Sequence, residues 1–105
     1  MTENEELLKL VGFKIDGYVY WSPEGKHTPL KDLPDLFHDL NALDKWVVPV
    51  LRERGSEVIS FFYNLKNIDC DLCPCGASYA TIEGHGETMA AALASAALKF
   101  LRGVE

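Results

Sequence analysis

The fold is decided by residues 88–102, which read TMAAALASAALKFLR and carry apolar side chains at helical spacing. Alanine is the strongest helix former, and Lys99 and Arg102 occupy the last turn, where positive charge complements the helix dipole. Gly103 is placed to end the helix. The stretch therefore predicts a helix, and its many small side chains allow a β-sheet to approach closely.

Two strands are predicted ahead of this helix. Residues 57–65 (EVISFFYNL) and 77–83 (ASYATIE) alternate apolar and polar side chains. The segment between them, KNIDCDLCPCG, is too long for a tight turn, so we expect an antiparallel hairpin with an elaborated tip at residues 66–76. Gly84-His85-Gly86 is interpreted as the turn from the second strand into the final helix.

The N-terminal third predicts smaller elements. Residues 3–11 place acidic side chains before leucines, which favours a short helix ending at Gly12. Residues 13–21 carry β-forming side chains on both sides of an Asp-Gly step, which indicates a small hairpin or a bent strand. Residues 22–34 contain three prolines and are interpreted as a loop.

A further helix is predicted from residue 36 to residue 54. Its expected buried face repeats at helical spacing and comprises Leu36, Leu40, Leu43, Val47, Val50 and Leu51. Asp39 is a candidate N-cap, because its side chain can accept hydrogen bonds from the free N–H groups of the first turn. Pro49 lies inside the pattern and should kink or split the helix before Gly55 stops it.

Together these elements predict one α+β domain over residues 1–105: a mainly antiparallel sheet with helices packed on its faces, in an alpha-beta-alpha sandwich. A chain of this length, with 48% apolar residues, can bury a core without compulsory disulfides or metal.

The segments FHDLNALDK (37–45), YATIEG (79–84) and GET leading into AALASAALKFL (86–101) together resemble the phage ABA sandwich domain family. These are small, uncharacterised proteins encoded by bacteriophages and prophages. The resemblance covers residues 36–102 and implies the same layered fold. Its motifs are structural, so it implies no catalytic group. The three cysteines of residues 70–75 are not part of the resemblance, which therefore gives no support to a metal site there.

The charge balance bears on partners and location. Ten basic against sixteen acidic residues give a net charge of −6, and the basic residues are scattered. Nucleic acid is therefore an unfavoured partner, since counterion release requires clustered positive charge. No apolar run approaches the roughly 20 residues needed to span a bilayer. Acidic residues stand where a secretory signal carries basic ones, so we expect a cytoplasmic protein, monomeric or a small homo-oligomer.

Cys70, Cys73 and Cys75 form the sharpest local motif, Cys-x2-Cys-x-Cys. Zinc prefers four ligands in a tetrahedron, so three thiolates would need a fourth ligand: His85, His27, His38, Asp71 or a group from a partner. If the cysteines lie at the hairpin tip, His85 stands roughly 20 Å away at about 3.3 Å per residue. Reduced thiols in a surface loop, a thiol redox role and a zinc site all remain open, and no other cofactor is predicted.

Other polar residues offer weaker signals. The backbone of Gly84-His85-Gly86 could bind an anion, although Glu87 already places negative charge at the helix start. The histidines at 27 and 38 and the aspartates at 39 and 44 could serve acid–base chemistry. Capping and solvation explain them better, because no nucleophile or carboxylate pair accompanies them.

Aromatic residues provide the remaining candidate site. Tyr20, Trp21 and Trp46 either close over the core or form an exposed patch for a partner, since Trp and Tyr are enriched at binding hot spots. With His85, they are the predicted binding residues. The sequence thus favours a non-catalytic module that binds an unidentified protein. The alternatives are a zinc-stabilised interaction module, a weak nucleic-acid binder and an enzyme with an unrecognised site.

Overall fold

The structure is a computed structural model that describes residues 2–74 and 82–103, apart from the side chains of 56–59, 73, 74 and 103. In chain order it contains α1 (Glu3–Leu10), β1 (Lys14–Asp16), β2 (Val19–Trp21), β3 (His27–Pro29), a 3-10 turn (Leu30–Asp32), α2 (Leu40–Ala42), a π-helical turn (Leu43–Val47), α3 (Val48–Glu53), β4 (Ser56–Tyr63), β5 (Ile68–Pro74), β6 (Ile82–Gly86) and α4 (Met89–Gly103). The predicted α+β class is confirmed. Within the described residues the strands form two antiparallel sheets, β1-β2-β3 (sheet A) and β4-β5-β6 (sheet B).

Helix α4 packs directly on β6, and two glycines make this contact possible. A methyl group added at Gly84 would lie 2.2 Å from the backbone nitrogen of Ala96, and one added at Gly86 would lie 2.5 Å from Ala91 Cβ. Since any side chain at these positions would collide with the helix, strand and helix touch backbone to backbone. The expected close approach of a sheet to the alanine-rich helix is confirmed.

The start of α4 also matches the prediction. Thr88 Oγ1 accepts a hydrogen bond from the Ala91 backbone N–H at 3.1 Å, as an N-cap side chain does. The glycine motif before it was wrongly interpreted as a turn, because Gly84, His85 and Gly86 all lie within β6. The glycines serve close packing and not chain reversal.

The hairpin assignment needs a larger correction. Strand β4 pairs with β5, which lies inside the segment interpreted as a tip, and β5 in turn pairs with β6. The tight connection is Asn64–Asn67, where the Asn64 N–H donates to the Asn67 carbonyl at 2.8 Å. Ile68, Cys70 and Leu72 alternate with two aspartates, which is the pattern of a half-buried strand. Residues 77–81 of the predicted second strand lie outside the described residues.

Sheet A confirms the small hairpin around Gly17, which has a φ of +60° in the turn. The predicted loop is partly wrong, because His27–Pro29 forms a third strand. Pro29 is tolerated because β3 is an edge strand, where a missing N–H breaks no interior ladder.

The α2, π-helical and α3 segments follow one another without interruption and are called the middle helix below. Asp39 caps it as predicted, accepting from the N–H groups of Asn41 and Ala42. Pro49 lies in the first turn of α3, directly after the π-helical turn. A proline ring collides with the carbonyl four residues earlier in a regular α-helix, and the wider π turn relieves that collision. The regular α-helical winding therefore breaks just before Pro49, where a kink or split was predicted, while the chain stays helical on both sides.

Helix α1 packs against α4, as the first and last helices of the fold. Arg102 donates through Nε to Glu6 Oε1 at 2.8 Å and through Nη2 to Oε2 at 2.5 Å, joining the two helices with a bidentate ion pair. This contact lowers the pKa of Glu6, chiefly through the hydrogen bond from Arg102. Asn4 ties α1 to the loop before the middle helix, since Leu36 N–H donates to Asn4 Oδ1 at 2.7 Å.

The core lies between these helices and the inner face of sheet B. Its largest fully buried side chains are Leu7, Leu8, Leu36, Leu43, Val47, Leu51, Cys70, Leu72, Leu98 and Leu101. Leu36 is buried as predicted, but from the turn before the middle helix and not from the helix itself. In residues 2–74 and 82–103, no helix combines the length and apolarity required to cross a membrane.

Gly84→Ala tests the backbone contact between β6 and α4. We expect a loss of about 3 kcal/mol or more in the free energy of unfolding, because the new methyl group meets immovable backbone atoms. Urea unfolding followed by circular dichroism measures it. Glu83→Ala, on the exposed neighbour, is the matched control and should change stability by less than about 0.5 kcal/mol. Equal stability of the Gly84→Ala variant and the wild type would contradict the contact.

Candidate interaction site

Only some of the predicted metal ligands lie among the described residues. Cys70 lies in β5 and is fully buried. Burial raises the pKa of its thiol to about 12, and the nearby Asp71 carboxylate adds to the rise. The side chain of Cys73 and the whole of Cys75 lie outside the described residues. Among residues 2–74 and 82–103, no three His, Cys, Asp or Glu side chains gather as a metal site. Zinc binding therefore stays a prediction.

A hairpin tip would have placed the cysteine segment far from His85, but the structure places the two close together. His85 stands on β6 opposite Asp69 of β5, next to the pair formed by Cys70 and Gly84. Side chains alternate along a strand, so Cys70 points into the core while His85 and Asp69 face outward. Cys70 and His85, the two candidate zinc ligands, therefore lie on paired strands, but their side chains point to opposite faces of the sheet.

His85 takes part in a hydrogen-bonded cluster on the outer face of sheet B. Its Nδ1 lies 2.6 Å from Asp69 Oδ1, and Asn64 Nδ2 donates to Asp69 Oδ2 at 2.5 Å. The hydrogen bond to His85 is the main cause that lowers the pKa of Asp69. Both carboxylate oxygens of Asp69 therefore have a hydrogen-bond partner. The cluster stabilises the sheet beside the 64–67 turn.

The remaining polar candidates have structural partners. His38 Nδ1 lies 2.7 Å from Asp35 Oδ2 on an exposed turn, and Asp39 caps the middle helix. His27 packs beside Trp21, with ring centroids 6.0 Å apart. Asp44 is exposed on the middle helix. These positions agree with the capping and solvated roles that the sequence favoured.

The aromatic candidates separate into two environments. Tyr20 is 7% exposed, and its hydroxyl donates to the Asp32 carbonyl at 3.0 Å. Trp46 packs edge-on against Phe13 at 5.0 Å, and Phe13 also lies 5.8 Å from Tyr20. Tyr20 thus belongs to the core and Trp46 borders it, while Trp21 stands half-buried on the outer face of sheet A. The three residues do not form one patch.

The structure reveals an apolar groove that the sequence analysis missed. It has a volume of about 430 Å³ and lies between the middle helix and α4, above β4. Its apolar lining consists of Leu40, Val48, Phe61, Met89 and Leu93, and its polar rim of Asn41, Asp44 and Arg52. The surface formed by these five apolar residues is called the apolar groove below.

Leu40, a predicted core residue, instead lines this groove beside Met89 of α4. Leu40 is 41% exposed, although the helical pattern placed it on the buried face. Met89 is half-buried and accepts a hydrogen bond from the Tyr63 hydroxyl to its sulfur at 3.2 Å. Tyr63 is itself 70% exposed, so it extends the apolar surface beyond the groove. Large apolar side chains left open beside a concave surface are typical of a binding site.

A signal for the groove does exist in the sequence. Leu40, Asp44, Val48 and Arg52 recur every fourth residue, alternating apolar and charged side chains. A spacing of four drifts by about 40° per step in an α-helix, and the π-helical turn removes part of that drift. The four residues therefore form one stripe along the groove. Their spacing is visible in the sequence, but α-helical periodicity alone does not place all four on one face.

Comparison of the chain with protein-family models, with curated proteins and with solved structures gave no match. The function must therefore be argued from the geometry of the site.

Cys70 offers a test of the buried thiol. At pH 8 its thiol should remain protonated and shielded, because its pKa of about 12 lies far above that pH. We expect iodoacetamide to leave Cys70 unmodified in the folded protein and to modify it fully in urea, with peptide mass mapping separating the three cysteines. Rapid modification of Cys70 without denaturant would show that the thiol is accessible.

Proposed function

We propose that the protein is a non-catalytic module that binds another protein at the apolar groove. The carrying observation is the concave apolar lining, with Leu40 41% exposed and a charged rim. The predicted phage or prophage accessory role agrees with this proposal, since the resemblance to the phage ABA sandwich family rests on structural motifs and names no catalytic group. A cytoplasmic location remains the expectation.

The shape and charge of the groove favour one kind of partner. Helical grooves commonly accept an amphipathic helix whose apolar side chains enter at helical spacing. Asp44 and Arg52 are eight residues apart, which corresponds to about 12 Å along the middle helix. The proposed occupant is an amphipathic helical segment of a partner protein. It carries Lys or Arg opposite Asp44 and Asp or Glu opposite Arg52, about two turns apart.

Leu40 is the central anchor of this proposal. It lies at the start of the middle helix, where truncation removes contact area from the groove but little from the core. Interface hot spots combine a buried apolar anchor with a surrounding rim that excludes water. In the complex, Leu40 supplies the anchor, and the two charges of the rim fix the direction of the bound helix.

A displayed library of helical peptides tests the proposal, with apolar residues at positions i, i+3, i+4 and i+7 and all other positions randomised. Selection on the wild-type protein should enrich peptides with a basic and an acidic residue two turns apart. We expect Leu40→Gln to weaken the selected peptides at least about tenfold. Leu65→Gln is the matched control, because Leu65 is fully exposed on the 64–67 turn.

The exchange of charges makes the test specific. In the double variant Asp44→Arg with Arg52→Asp, net charge is unchanged, and the selected peptides should reverse their charge order. Circular dichroism confirms that each variant folds. Failure to enrich any peptide, equal weakening by Leu65→Gln, or an unchanged charge order would contradict the proposal. Concentration-dependent self-association abolished by Leu40→Gln would show that a second copy is the occupant instead.

A further inference from the structure

We propose that a separate cleft beside sheet A binds a nucleoside monophosphate. The cleft has a volume of about 440 Å³, within the range of about 300–1,000 Å³ typical of small-molecule sites. Its lining consists of Gly12, Lys14, Trp21, Ser22, Pro23 and Gly25. It combines one aromatic ring, one primary ammonium group and a wall of small residues.

Strand register places the chemical groups of this cleft in one row. Lys14 pairs with Trp21, and Trp21 pairs with His27, across the three strands of sheet A. Directly opposed residues point to the same face of a sheet and lie about 5 Å apart at Cβ. Tyr20 on the neighbouring row is buried, so the row containing Trp21 faces outward.

The aromatic ring of the cleft packs beside a neighbouring side chain. Trp21 is half-buried, and its ring lies against the His27 ring with an interplanar angle of 37°. An indole supplies a flat apolar surface on which a nucleobase can stack, a contact worth about 1–3 kcal/mol per base in nucleic-acid-binding proteins. A ring that is already ordered loses little conformational entropy on binding.

The opposite wall is formed by a tight turn. Ser22 N–H donates to the Lys26 carbonyl at 2.9 Å, and Gly25 N–H donates to the Ser22 carbonyl at 2.9 Å. Gly12, with a φ of +109°, lets this turn approach closely, because a methyl group there would lie 3.3 Å from Pro23 Cγ. The cleft therefore has two fixed walls, sheet and turn.

Charge selects the ligand. Lys14 is exposed beside the indole, where its ammonium group can pair with a phosphate while the base stacks on Trp21. Ribose spans the few ångströms between base and phosphate, and directly paired residues such as Lys14 and Trp21 stand about 5 Å apart at Cβ. Asp16 on the same strand and a net charge of −6 oppose a polyanion. A single phosphate thus fits the cleft better than a nucleic-acid strand.

Adenosine 5′-monophosphate is the probe for this site, titrated into ¹⁵N-labelled full-length protein and followed by NMR. The indole N–H signal of Trp21 should shift saturably, while that of Trp46, packed against Phe13, should not. Trp21→Leu assigns the two signals, and Trp46→Phe provides the same assignment if that variant does not fold. Adenosine and inorganic phosphate should each bind at least about tenfold more weakly than the monophosphate.

Lys14→Gln should raise the Kd about tenfold, because it removes the charged contact to phosphate. Lys66→Gln is the matched control, an equal charge change in the 64–67 turn, and should alter the Kd less than about twofold. The proposal is overturned by the absence of a saturable Trp21 shift up to about 10 mM, by equal weakening in both lysine variants, or by an oligonucleotide that binds more tightly per site than the monophosphate. The peptide selection at the apolar groove is independent of every one of these outcomes.

Discussion

The backbone contact between β6 and α4 is the constraint on which the rest of the fold depends. Gly84 and Gly86 have no side chains because helix backbone occupies the space where a Cβ would stand. Alanines on the facing side of α4 keep strand and helix close, and the larger side chains of the helix then point to α1 and the middle helix. The position of α4 thus decides where the core lies and where the apolar groove opens.

Sequence reasoning succeeded where local physics decides the outcome. The alanine-rich helix, the Asp39 cap, the turn at Gly17 and the interruption at Pro49 all follow from propensity or hydrogen bonding within a few residues. It failed at strand β5, because Pro74, the cysteines and the aspartates of the segment resemble a loop. The alternation of Ile68, Cys70 and Leu72 was present, but its significance depends on pairing with a strand on each side, β4 and β6.

The candidate sites were harder to predict than the fold. Helical periodicity placed Leu40 in the core, whereas in the structure it is 41% exposed and lines the groove between the middle helix and α4. The aromatic residues were identified by type, but type does not distinguish Tyr20 in the core from Trp21 on the surface. Which face of sheet A is buried is a tertiary property, and only the register brings Lys14 and His27 beside the indole.

The π-helical turn at Leu43–Val47 has a consequence for how the chain tolerates insertions and deletions. Such a turn accommodates one residue more than an α-helical turn, and each residue rotates a helix by about 100°. Removal of a single residue there would restore regular winding and leave Val48 and Arg52 facing the groove, because eleven α-helical steps of about 100° each bring Arg52 back to the face of Leu40. The binding stripe therefore survives the loss of one residue, whereas insertion of a further residue would rotate the end of the helix by about 100° and carry both side chains off the groove.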